Sequence, residues 1–73
     1  MQDEANEIEY PVDDATYNIM QTLVSKLEAI DAYRHYADDE GGEDAELFLE
    51  MARDDMRHAE RLLGILKERL NAS

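Results

Sequence analysis

Between Asp14 and Asp38, apolar side chains recur at Ile19, Met20, Leu23, Val24, Leu27, Ile30 and Ala37, the three-and-four spacing of an amphipathic helix. This predicts a first helix over about 14–38, with Asp13 or Asp14 capping its start through a side-chain oxygen. Gly41 and Gly42 follow an acidic cluster that suits the negative end of a helix dipole poorly, and they supply the left-handed turn that ends the helix. A second stripe runs through Ala45, Phe48, Ala52, Met56, Ala59, Leu62, Leu63, Leu66 and Leu70, and predicts a helix over about 44–70. Its charges agree with its dipole: Glu43, Asp44 and Glu46 fall in the first turn, Lys67 and Arg69 in the last. Each helix would span roughly 35–40 Å. A connection of about five residues then folds the two back on each other as an antiparallel hairpin.

Residues 1–12 carry four carboxylates, no basic group and a proline, without helical period, which predicts a flexible acidic tail ahead of a helical hairpin over 13–73. A chain of 73 residues is one domain at most, and a lone hairpin buries too little surface to be more than marginally stable. Leu47, Met51, Ile65 and Tyr33 flank the two stripes and would stay wet in a monomer. The expected fold is therefore all-α, a two-helix hairpin that pairs with a second copy into a four-helix bundle, as a homodimer or a higher homo-oligomer.

Charge narrows the partners. Nineteen acidic against seven basic residues give a net charge of −12, which repels nucleic acid and anionic membrane surfaces. Setting aside Asp3, Glu4, Glu7 and Glu9 leaves 15 acidic and 7 basic residues, so −8 stays with the helices. The absence of cysteine removes disulfides, iron–sulfur clusters and thiol nucleophiles. Leu47, Phe48 and Leu49 form the longest apolar run, far short of a spanning helix, and the N-terminus is acidic where a signal peptide is basic; a soluble, cytoplasmic protein is expected. No serine–histidine–acid arrangement, phosphate-binding glycine loop or dinucleotide fingerprint is present. The DDEGGED loop lacks the ligand positions of an EF-hand and reads as a solvated turn.

Polar residues interrupt both stripes. With Leu27 as the centre of the first, Asp31 falls roughly 40° and Arg34 roughly 20° away, which predicts at least partial burial of both. With Ala59 as the centre of the second, Asp55 points inward and His58 borders the stripe at roughly 100°. An inward carboxylate needs a cation, a hydrogen-bond donor or a proton. One solution is a structural ion pair, Arg34 with Asp31 or with Asp55 across the hairpin. Another begins from Asp55 and His58 at i and i+3, a spacing at which a carboxylate and an imidazole share one metal. Counted from the loop, Glu28 stands level with Asp55, and Lys26 stands close in height to His58. Tyr17, Tyr33 and Tyr36 fall at different angles and read as packing residues; Met20, Met51 and Met56 read as core fillers. His35 lies on a polar face and carries no special signal.

The segments EAIDAY in the first helix and ARDDMRHAERLL in the second lie within a stretch, about residues 23–66, that resembles the ferritin-like superfamily and most closely the two-helix encapsulated ferritins. The resemblance implies that two hairpins dimerise into a four-helix bundle with a di-iron ferroxidase site between copies. It implies a histidine ligand at His58, a carboxylate ligand at Asp55 and a near-site tyrosine at Tyr33. The position of the family's first-helix metal glutamate, seven residues before that tyrosine, is Lys26 here. An ammonium offers no lone pair and repels Fe(II), so Lys26 is expected to replace the cation and pair with Asp55 of its own or of a partner chain.

The expected function is thus a small acidic ferritin-like structural or oligomerisation protein with a degenerate di-metal site and no cofactor. One alternative is an iron-binding protein or ferroxidase using Asp55, His58 and Glu28 across a dimer interface, with iron as its metal, possible also inside a protein shell. A second alternative is an acidic adaptor whose tail binds another protein.

Overall fold

A computed structural model of the chain describes residues 11–72. Two helices, α1 (Asp14–Glu40) and α2 (Gly42–Ala72), account for nearly all of them, and they pack against each other as an antiparallel hairpin. The expected tail lies outside the described residues except for Pro11 and Val12. No described helix is long and apolar enough to cross a membrane.

Asp13 is the residue that caps α1: its backbone is extended, its Oδ1 accepts from the Thr16 N–H at 2.8 Å, and its carbonyl accepts from the Tyr17 N–H at 2.9 Å. At the other end both helices run further than the apolar stripes indicate, because the connection is Gly41 alone. Its N–H donates to the Ala37 carbonyl at 3.2 Å while its own carbonyl accepts from the Ala45 N–H at 3.2 Å, so one residue closes α1 and opens α2. The reversal needs φ of +72° with ψ of 175° at Gly41 and φ of +62° at Gly42. Only glycine adopts the first of these without strain.

The seam between the helices is a heptad pattern. In α1 the residues turned inward are Thr16, Ile19, Leu23, Lys26, Ile30, Tyr33 and Ala37; in α2 they are Ala45, Phe48, Ala52, Asp55, Ala59, Leu62 and Leu66. Both series alternate steps of three and four, the spacing of a coiled-coil a/d seam. Ile30, Ala52 and Ala59 form the buried cluster, with Leu23 and Tyr33 packed on it. Toward the loop, Phe48 stacks on Tyr33 at 6.3 Å and meets Tyr36 at 5.3 Å. Alanines on α2 opposite larger residues on α1 let the backbones approach.

This geometry corrects the expected centre of the α1 stripe. Leu27, taken as its middle, is half exposed, as are Val24 and Tyr17, and the true centre lies between Lys26 and Ile30. Asp31 and Arg34, expected at least partly inside, are therefore both exposed, and Asp31 faces His35 at 3.8 Å on the surface. The physical reason is that Lys26 holds a seam position, so a stripe drawn through apolar residues alone shifts toward Leu27. On α2, Met56, Leu63 and Leu70 likewise lie off the seam and exposed.

Candidate functional site

Lys26 and Asp55 occupy facing seam positions, one helical turn from Ile30 and Ala52 respectively. Lys26 Nζ donates to Asp55 Oδ1 at 3.1 Å, with the lysine side chain 34% exposed and the aspartate 15%. One turn along α2, His58 Nδ1 lies 3.2 Å from the same oxygen, and its ring is 56% exposed. Asp55 is thus the hub of a three-residue polar cluster, with Lys26 across the seam and His58 at its exposed edge. The ammonium carries its long stem along the seam and leaves its charged end near the edge, which limits the desolvation the pair suffers.

The Lys26 hydrogen bond holds the Asp55 carboxyl below the usual carboxylate range; the His58 contact adds to this, and burial opposes it. The native state therefore binds this proton less readily than the unfolded chain does. Its stabilising contribution is fully present above the ordinary carboxylate pKa of about 4 and is lost as pH falls through the lower native value. We expect the stability difference between parent and Asp55→Asn, measured by urea unfolding, to shrink as pH falls from 7 to 3. A difference independent of pH would show that the carboxylate charge contributes nothing.

The other residues singled out from the sequence do not join this cluster. Glu28 is exposed on α1, two positions past Lys26 and turned away from the seam. Tyr33 is half-buried and packs on the core and on Phe48, roughly 10 Å along the helix from Lys26. Asp31 and Arg34 lie outside it, as described. Among the described residues, no three of His, Cys, Asp and Glu converge where a metal ion could sit. Asp55 and His58 supply two donors of a first coordination shell, but the third neighbour is an ammonium, so this donor set does not fit a di-iron centre within one chain.

On the side of the hairpin where Lys26 and His58 emerge, a shallow groove of about 360 Å³ is lined by Thr22, Lys26, His58, Arg61, Leu62 and Ile65. The opposite side is different in character. There Leu49 and Met56 of α2 border a second groove with Ile30 and Arg34 of α1, and the exposed Met20, Leu27 and Leu63 continue the same flank by heptad spacing. The first flank carries the polar cluster; the second is the broader apolar surface.

Comparison with known proteins returns no match to the chain, whether among family models, curated proteins or solved structures.

Proposed function

We infer that the chain is a small acidic structural module of ferritin-like form, a helical hairpin that associates with copies of itself into a four-helix bundle. Lys26 stands in it where a metal-binding carboxylate would be needed. The observation that supports this reading is the Lys26 Nζ to Asp55 Oδ1 bond of 3.1 Å within the seam. A protonated amine has no lone pair for a metal and repels a divalent cation, yet it satisfies a carboxylate that the seam would otherwise strand. Self-association is supported by the exposed Met20, Leu27, Leu49, Met56 and Leu63 on one flank, a contiguous apolar surface of the kind that marks an interface. None of the described large side chains is fully buried, so the hairpin has no complete interior of its own.

The test is native mass spectrometry of parent and Lys26→Glu with and without anaerobic Fe(II). The parent is expected as a homo-oligomer without stoichiometric iron, and Lys26→Glu, which sets a third donor beside Asp55 and His58 of the same chain, is expected to gain bound iron. Failure of Lys26→Glu to gain iron would remove the assignment of this position. Stoichiometric iron in the parent, with rapid ferric absorbance on admitting air that Asp55→Ala or His58→Ala abolishes, would install the ferroxidase reading instead.

A further inference from the structure

Beside the seam, α2 carries a second heptad series. Leu49, Met56, Leu63 and Leu70 recur every seven residues, and between them, one step further round the helix, stand Glu46, Arg53, Glu60 and Lys67, also seven apart. Together they alternate in steps of three and four, as a second seam would. All eight are exposed. Arg53 borders the same groove as Leu49 and Met56, which places the charged series on the apolar flank. None of the four charges makes an ion pair among the described residues, although Asp54 and Arg57 of the same helix pair with each other.

The signs along this series run minus, plus, minus, plus. Read backwards, the order is plus, minus, plus, minus, so a second α2 laid antiparallel on the first meets an opposite charge at every position. A parallel copy in register would meet like charges throughout. We propose that a second copy of this chain docks with its α2 antiparallel on α2. The two-fold axis passes between Met56 and Arg57, placing Glu46 opposite Lys67 of the partner subunit and Arg53 opposite Glu60 of the partner subunit. This rests on the self-association proposed above and adds to it the face, the direction and the register.

Both the energetics and the opposite helix fit this arrangement. Apolar burial must offset the repulsion of two chains of net charge −12, and Leu49, Met56 and Leu63 supply it along the middle of the contact. The charges at its edge then set direction and register, which is what interface charges do best. The axis level in α1 falls near Ser25, between Val24 and Leu27, which with Met20 present the apolar part of the same flank. Two α1 helices thus meet through their apolar halves when the two α2 helices meet through theirs.

Because the chain has no cysteine, a single introduced thiol reports the axis directly. Met56→Cys in the full chain is expected to form an intermolecular disulfide under mild oxidation in near-complete yield, while Leu49→Cys and Leu70→Cys do not. Independently, Lys67→Glu is expected to weaken the dimer on the order of tenfold in sedimentation equilibrium, and Glu46→Lys with Lys67→Glu together to restore it. A parent that sediments as a monomer overturns both this inference and the self-association beneath it. An oligomer in which Met56→Cys fails to cross-link and the double charge exchange fails to rescue overturns the docking mode alone. Cross-linking of Met56→Cys chains only to chains bearing Leu27→Cys would assign α2 to α1 of the partner and equally overturn it.

Discussion

Lys26→Met is expected to lower the thermal midpoint by about 5–10 °C, whereas Lys26→Leu combined with Asp55→Leu is expected to equal or exceed the parent. The single change leaves the Asp55 carboxylate, 15% exposed, with only His58 beside it. A fully exposed pair is worth about 0.2–1 kcal/mol and a fully buried one costs about 3–5 kcal/mol when one partner is removed. The intermediate exposure of this pair places the loss at about 1–2 kcal/mol. The double change removes both charges together and fills two seam positions with apolar volume, an exchange that is often neutral or stabilising. Circular dichroism melts at one fixed concentration would decide it, because association also raises the midpoint. A double variant that melts below Lys26→Met would show that the pair is worth more than well-packed leucines. The seam would then depend on its polar cluster for stability.

How much of this was legible in the sequence depends on which residue is asked. The two helices and their antiparallel packing follow from the apolar spacing and the paired glycines, and Gly41 does more than that pattern asked, by serving both helices at once. The seam position of Asp55 was readable because its heptad neighbours Ala52 and Ala59 are themselves small and apolar. The seam position of Lys26 was harder. A lysine does not enter an apolar stripe, so the apolar spacing runs through Met20, Val24 and Leu27 and predicts Arg34 and Asp31 inside it. A strict three-four reading that tolerates two polar residues, Thr16 and Lys26, passes through Ile19, Leu23, Ile30 and Tyr33 as well, and moves the centre by about one residue. What remains of the first stripe is a second face on the outside of the hairpin. Such two-faced helices are what a four-helix bundle requires, since each helix there touches two neighbours. The proposed arrangement of copies, by contrast, rests on the charge order along α2.

The largest single effect is expected from Ile30→Ala. Ile30 is 5% exposed and stands at the middle of the buried cluster with Ala52 and Ala59, where the opposing residues are already as small as side chains with a Cβ can be. Truncation therefore removes the main apolar volume at that level, and the alanines across the seam have no atoms with which to fill the gap. Leu23 and Tyr33, the residues packed on the cluster, would have to swing inward to close it, and Tyr33 is already engaged with Phe48. Large-to-small substitutions at sites that cannot collapse cost about 2–4 kcal/mol. In a domain of this size that corresponds to a fall of roughly 10–25 °C in the thermal midpoint. The comparison that makes the prediction specific is Leu27→Ala, at a position half exposed in the single chain. In dilute protein, where association is suppressed, Leu27→Ala should shift the midpoint by only a few degrees. If a second copy docks on that flank as proposed, its effect at high concentration should grow toward that of Ile30→Ala. Equal effects of the two changes under dilute conditions would mean that Leu27 already lies in a core, and that the seam has been drawn on the wrong side of α1.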